Sequence, residues 1–282
     1  MDSINPLFSA IAPRLELTEP KTFEFLPSEV LQIIIFEQTL SVRDILNLSE
    51  CSQGLKTAIK INKTFQLICQ SLSKHSDVAR PYELLLTKLD TLELSWKELR
   101  DIPKPFAWLR SITILNLAHN HLSTLPSFFG TLKSLQSLDL SHNQFKALPD
   151  SLDELTALTD LTFSDNNLTA AGASFSKLTE LRHLDFSGNK ITRLPESFEK
   201  LENLRTIVLF KNSFTVFPEV FKNLKSLMCI GLAYNDIQVI PPFLGGLKQL
   251  MHLDLSFNNS LNACQLTDLT AQLPQCKIYG QK

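Results

Sequence analysis

The sequence predicts an α/β chain: a stacked repeat array behind a small all-α head. Three observations predict it. From Leu89 onward the pattern Leu-x-x-Leu-x-Leu-x-x-Asn-x-Leu recurs every 23 residues without insertion, starting at Leu89, Ile112, Leu135, Leu158, Leu181, Leu204, Leu227 and Leu250. An asparagine holds the ninth position in all of these units but the first. Upstream of Leu89 the period vanishes and apolar residues fall at helical spacing.

Each column of the repeat has a physical duty. Position 9 holds Asn120, Asn143, Asn166, Asn189, Asn212, Asn235 and Asn258, with Lys97 in the first unit. A buried amide both donates and accepts, so it can satisfy the backbone of the turn that leaves a strand, and stacked turns then form an asparagine ladder. Positions 4 and 6, such as Leu138 and Leu140, point inward from a short strand of period two. Position 18 (Phe106, Phe129, Leu152, Phe175, Phe198, Phe221, Leu244) is expected to form a spine on the far side of the core. Pro103, Pro126, Pro149, Pro195, Pro218 and Pro241 fix an extended segment there, and Gly172 loosens it in the fourth unit. After Asn258 a helix is expected over Cys264–Leu273, with Leu266, Leu269 and Leu273 on one face. Pro274 ends it, and Cys276–Tyr279 can add a last strand, so residues 263–282 read as a cap.

These columns resemble the leucine-rich repeat family in its 23-residue intracellular form, from Leu89 to about Leu261, taken here as residues 89–262. One unit cannot bury its apolar face alone, but eight stacked units can. The resemblance implies a horseshoe-shaped solenoid with a parallel β-sheet on its concave face. Seven strand gaps of ~4.8 Å make that sheet about 34 Å wide, enough for a protein-sized partner.

Ahead of the repeats, residues 1–21 read as a flexible lead containing Pro6, Pro13 and Pro20. Residues 22–62 read as three short helices. Pro27 suits a first turn, Val30, Leu31, Ile34 and Ile35 follow helical spacing, and Ser41 with Asp44 forms a capping box. Residues 63–88 read as a helical linker that caps the array. Three short helices bury little surface alone, so Leu26, Val30 and Ile34 should seek a partner, either the array or another protein. Leu26, Pro27, Glu29, Val30, Leu31 and Ile34, followed by Asp44, Ile45, Leu46, Leu48 and Ser49, resemble an F-box. The chain departs from that pattern by a two-residue insertion between Ile35 and Asp44, and by Leu55 where the family usually has Trp. The resemblance implies docking onto the Skp-type adaptor of a cullin-RING ubiquitin ligase, with Leu26, Pro27, Val30, Ile34, Ile45 and Leu48 as apolar contacts. The alternative is that these residues only cap the solenoid.

On the concave face, positions 3, 5, 7, 8 and 10 are expected to reach solvent. Position 8 runs Trp96, His119, His142, Asp165, Gly188, Lys211, Tyr234, Phe257, and exposed aromatic residues in one row are what protein recognition uses as anchors. Phe210 at position 7 stands where the family usually has Ser. The expected partner-binding residues are Trp96, His119, His142, Phe210, Lys211, Tyr234 and Phe257. Glu93, Asp139, Asp185 and Asp254 at position 5 would favour a basic patch on the partner, although Asp there is common in the family for framework reasons. His119, His121 and His142 lie on adjacent rungs without a carboxylate or thiol at ligand spacing, and His183 and His252 lie farther along, so no metal is expected.

Composition narrows the remaining classes. With 282 residues, 44% of them hydrophobic, the chain can build a sizeable core. A net charge of −2 lacks the basic excess of a phosphate-binding protein, so no nucleic-acid partner is expected. No run approaches the ~18 apolar residues of a membrane helix, and residues 1–20 lack a secretory pattern. Cys51, Cys69, Cys229, Cys264 and Cys276 are odd in number and scattered, as in a reducing compartment. Cys264 and Cys276 could pair, but buried thiols are the stronger expectation. No catalytic motif occurs, and the eight glycines cannot build a phosphate cradle. Roughly 20 residues follow the last repeat, too few for the catalytic domain of the bacterial repeat-bearing ubiquitin ligases.

The expected protein is a cytoplasmic, monomeric, cofactor-free non-enzyme. Its head docks a Skp-type adaptor and its array holds an unknown protein substrate for ubiquitination, in a eukaryote or as a bacterial effector in host cytoplasm. The rival expectation is a scaffold that binds a protein partner with no ligase link.

Overall fold

The computed structural model describes residues 90–280 apart from 103, 173 and 174. The chain divides between Asp90 and Thr91 into two units, and the second is the one described here. The lead, the helical head at 22–62, the linker at 63–88 and the docking residues Leu26, Pro27, Val30, Ile34, Ile45 and Leu48 lie outside the described residues.

Every 23-residue unit opens with a three-residue strand, and together these build one parallel sheet in sequence order. The strands are β1 (Thr91–Glu93), β2 (Ile114–Asn116), β3 (Ser137–Asp139), β4 (Asp160–Thr162), β5 (His183–Asp185), β6 (Thr206–Val208), β7 (Cys229–Gly231) and β8 (His252–Asp254). β9 (Lys277–Tyr279) comes from the cap and pairs with β8. The register never slips. Leu92, Leu115, Leu138, Leu161, Leu184, Ile207, Ile230 and Leu253 stand side by side, and all are buried. A slip by one residue would turn this whole row to solvent, so the hydrophobic pattern itself locks the register.

The asparagine ladder forms as expected. Asn166 Nδ2 donates to the carbonyls of Leu140 at 2.9 Å and Phe163 at 3.1 Å, while its Oδ1 accepts the Phe145 N–H at 3.0 Å. Each amide thus ties one unit to the unit before it. The pattern repeats from Asn120 to Asn258. Asn212 and Asn235 are only half-buried, whereas the other five are buried.

Opposite the sheet, Phe106, Phe129, Leu152, Phe175, Phe198, Phe221 and Leu244 form the expected spine, and all are buried. The prolines do more than hold an extended segment. Pro126, Pro149, Pro195, Pro218 and Pro241 are extended and sit at the N-caps of the 3-10 helices Ser127–Thr131, Asp150–Glu154, Glu196–Lys200, Glu219–Asn223 and Pro242–Gly246. A residue without an N–H suits a helix start, where that donor has no intrahelical partner. In the fourth unit, which has Gly172 in place of proline, residues 175–177 form a turn instead.

The cap is α1 (Ala263–Gln272), opened by Asn262 and Gln265 in a reciprocal capping box. Leu269 and Leu273 are buried and Leu266 is half-buried, closing the end of the core. The expectation of buried thiols holds for Cys276, whose thiol burial pushes toward higher pKa, and fails for Cys264, which is exposed. Cys264 lies in the first turn of α1, away from the Leu269–Leu273 face. Cys229, Cys264 and Cys276 are all free thiols.

On the 3-10 side, Lys177 and Lys133 clamp Glu154 at 2.5 and 2.9 Å and hold its carboxyl down at about 2, from an ordinary 4.5. The clamp therefore stabilises the fold above the ordinary carboxylate range, and that contribution fades as pH falls from about 4.5 toward 2. An NMR titration of Glu154 should show this low midpoint, and replacing Lys133 and Lys177 by Met should return it toward the ordinary value. The ladder makes a second prediction. Asn166→Ala strands a buried N–H and carbonyl and should cost about 3 kcal/mol by urea unfolding, against about 1 kcal/mol for half-buried Asn212→Ala, where water can substitute.

Candidate functional site

Each strand ends at position 5, and four residues later an asparagine must enter the core. The chain makes that turn by folding position 8 into the left-handed region. Trp96, His119, His142, Asp165, Lys211, Tyr234 and Phe257 all have φ between 51° and 59°, and Gly188 has 64°. Their N–H groups donate to the position-7 carbonyl of the next unit, as in His119 to Ser141 at 2.9 Å and Tyr234 to Ser256 at 2.9 Å. This conformation costs a residue with a Cβ roughly 1–2 kcal/mol. It also throws the side chain outward at the rim of the sheet.

Ring stacking offsets part of that cost. Trp96 and His119 stack with centroids 3.8 Å apart and 10° between planes, and His119 and His142 do so at 4.0 Å and 11°. His142 Nε2 then meets Asp165 Oδ2 at 3.4 Å. Farther along, Tyr234 stacks on Phe257 at 4.0 Å, and Phe210 meets Tyr234 edge-on at 5.0 Å. Such pairs contribute about 0.5–1.5 kcal/mol beyond burial. The rim thus carries two aromatic plates with Asp165, Gly188 and Lys211 between them. An added Cβ at Gly188 would displace the Asp165 carboxylate from its present place.

The expected contact residues fall into place unevenly. Trp96 is 69% exposed, Tyr234 46%, Phe257 42% and Phe210 39%. His142 and Lys211 are also exposed, while His119, sandwiched in its stack, is half-buried. Position 7 overturns the expectation of uniform exposure. Ala118, Ser141 and Ala233 are buried there, and for Ala118 and Ser141 the N–H is held by the side chain at position 5. Small residues tuck under the turn; Phe210 cannot, and stands out. His121 meets Gln144 at 3.3 Å, and His183 and His252 are exposed on β5 and β8.

Position 5 has the framework duty anticipated for it. Oδ1 of Asp139, Asp185 and Asp254 accepts the N–H of Ser141, Ser187 and Ser256 at 2.8, 2.8 and 3.0 Å. Asn116 does the same for Ala118 at 2.9 Å, and Glu93 for Ser95 at 2.9 Å. The sequence reading missed the left-handed turns and the stacks they align. Gly188 was the available signal, since glycine in one cell of an otherwise bulky column marks a backbone that favours it.

Comparison with known proteins agrees with this architecture. A family model described as a leucine-rich repeat region matches residues 170–275, and one described as a leucine rich repeat matches residues 110–168. No curated protein matches the sequence. Among solved structures, a leucine-rich-repeat protein of Leptospira interrogans is 29% identical with a TM-score of 0.59, over 71% of this chain and 56% of that one. The chain therefore spans little more than half the length of that protein. Internalin C2 of Listeria monocytogenes is similar in fold, at 20% identity and a TM-score of 0.60, over 70% of this chain and 83% of that one. Among the described residues no helix is long and apolar enough to cross a membrane.

The rim makes its own prediction. Asn tolerates the left-handed turn, so Tyr234→Asn relieves strain while losing a stack, and stability should change by less than about 1 kcal/mol. Leu232→Ala in the same unit, which opens a cavity, should cost about 3 kcal/mol by urea unfolding.

Proposed function

Because the chain is a leucine-rich-repeat protein, we propose that it is a non-catalytic receptor that holds a protein partner on its sheet face. One observation carries this reading: an unbroken row of left-handed turns presents Trp96, His142, Tyr234 and Phe257 outward along one rim, with Phe210 beside them. Glycine or asparagine would fill those turns with less strain. Exposed, rigid aromatic residues held at such a cost are the usual anchors of protein recognition. The repeat array supports the same reading, since stacked units form an extended, regular surface.

A more specific form of this receptor is a ligase adaptor, and it rests on residues 26–49. In that reading Leu26, Pro27, Val30, Ile34, Ile45 and Leu48 dock a Skp-type adaptor, and the partner on the sheet face is the protein to be ubiquitinated. Tethering would then raise the local concentration of ligase at the substrate.

Two experiments separate these levels. Affinity capture should recover a protein that binds the wild-type chain and is lost from a variant carrying Trp96→Ala, Phe210→Ala, Tyr234→Ala and Phe257→Ala. The same protein should be retained by a variant with four alanines on the 3-10 side. Pull-down with a purified Skp-type adaptor should succeed for wild type and fail for Leu26→Ala with Pro27→Ala. A folded wild-type chain that captures its partner and ignores the adaptor leaves the receptor and removes the ligase.

A further inference from the structure

The sheet face has an internal asymmetry that specifies its partner more closely. The outward positions 3 and 5 of β1–β8 carry Glu93, Asp139, Asp160, Asp185 and Asp254, with His183 and His252, and no Lys or Arg; among the strands the first lysine is Lys277 of β9. Three of the carboxylates lie on adjacent strands: Asp139 on β3, Asp160 on β4 and Asp185 on β5. Asp160 is in register with Ser137 and His183, and Thr162 stands between Asp139 and Asp185. On β6 and β7 the outward positions are uncharged, with Thr206, Val208, Cys229 and Gly231, before His252 and Asp254 follow on β8. This part of the face is bordered by the Phe210–Tyr234–Phe257 plate.

Among the described residues, ion pairs form at a few places on the 3-10 side and at none of the strand carboxylates. On the 3-10 side, Lys133 and Lys177 hold Glu154, Lys177 lies 3.9 Å from Asp153, and Lys222 lies 3.8 Å from Glu219. On the sheet side, Asp139, Asp160, Asp185 and Asp254 have no ion-pair partner among the described residues. Their bonds go to backbone and hydroxyl groups of this chain, including Thr159 to Asp160 at 2.6 Å. The cations that border the face are Arg182 and Arg205 at the strand entrances and Lys211 at the rim.

Resting on the receptor reading above, we propose that the partner lies across the strands as an extended peptide segment, with Lys or Arg residues over Asp139, Asp160 and Asp185 and apolar residues against Phe210, Tyr234 and Phe257. From β4 to the seventh unit is three rungs, about 14 Å at ~4.8 Å each. Four residues of extended chain at ~3.3 Å cover that span, so the two halves of the segment are separated by about four residues. The same face repels phosphate, which disfavours nucleic acid and anionic membranes.

The test uses the full chain and a fluorescent peptide, Arg-Lys-Arg-Gly-Ser-Gly-Ser-Leu-Trp-Phe, followed by anisotropy. Replacing the basic triplet with Glu-Asp-Glu, or the apolar triplet with serines, should each weaken binding at least about tenfold, as should raising salt to about 0.5 M for the basic peptide. Asp139→Asn, Asp160→Asn and Asp185→Asn together should weaken it about tenfold and abolish most of the salt dependence. Asn116 already caps its turn as the Asp residues do, so this variant keeps its fold and circular dichroism confirms it. Equal binding of the acidic peptide, salt-independent binding, no binding of either, or full affinity in the triple variant would overturn the proposal. If the peptide fails while the rim variant still loses its captured protein, the receptor stands and the basic segment falls. If neither depends on the rim, both fall.

Discussion

The structure depends on one demand: an asparagine amide must enter the core at the ninth position of every unit after the first. Asn166 shows what that entry achieves, since its single side chain satisfies an N–H of one unit and carbonyls of two. Buried backbone groups left without partners are expensive, so the turn that delivers the amide cannot vary. The turn in turn requires a left-handed residue immediately before the asparagine. Such a residue projects its side chain outward. The same constraint that closes the core therefore produces an exposed column, one side chain per rung, at the rim of the sheet.

This coupling separates what the scaffold dictates from what it leaves open. Positions 4, 6 and 18 are apolar, and position 7 is small in every unit but the sixth, with its N–H held by position 5 where that residue is an acid or amide. Position 8 has a dictated backbone and an open side chain, and so can carry Trp, His, Asp, Gly, Lys, Tyr or Phe in succession. Neighbouring rungs then act on one another. Rings on adjacent units fall near 4 Å apart and stack, which pre-orders them. Side chains already immobilised lose less entropy when a partner arrives. Phe210 adds to this from a position the scaffold reserves for small residues, and its ring reaches Tyr234 at 5.0 Å.

Much of the array was legible because a strict period exposes its columns. The ladder, the spine, the inward rows and the cap helix all follow from residue type and spacing, and Leu269 and Leu273 are buried as their spacing implies. Three features were not legible. Left-handed turns filled by Trp, His and Tyr run against those residues' own preferences, so local propensity pointed away from them and only Gly188 hinted at the backbone. Proline in the convex segment announces an extended residue equally well whether a 3-10 helix follows or not. The bond from the C-cap N–H to the phenylalanine or leucine three residues after the proline does not decide it, since Leu178 makes the same bond to Phe175 in the fourth unit. Cys264 reads as a buried thiol by composition, yet its place in the first turn of α1 leaves it exposed.

The acidic residues on the sheet bear most directly on what the face selects. A carboxylate at position 5 caps the turn with one oxygen, and Asn116 performs the same service without charge. Capping therefore accounts for a side-chain oxygen at this position and does not account for a negative charge. Asp160 makes the point independently, since position 3 has no capping duty and its bond goes to a neighbouring hydroxyl. Asp139, Asp160 and Asp185 lie on adjacent strands without standing directly opposite one another, and among the described residues no cation lies within ion-pair distance of them. On the opposite side Lys133 and Lys177 hold Glu154 and Lys222 lies near Glu219, while Asp150, Glu196, Glu199 and Lys200 have no ion pair among the described residues, so unmatched charge is not by itself peculiar to the sheet. The sheet charge that capping leaves unexplained is most simply understood as half of a pair whose other half belongs to the partner.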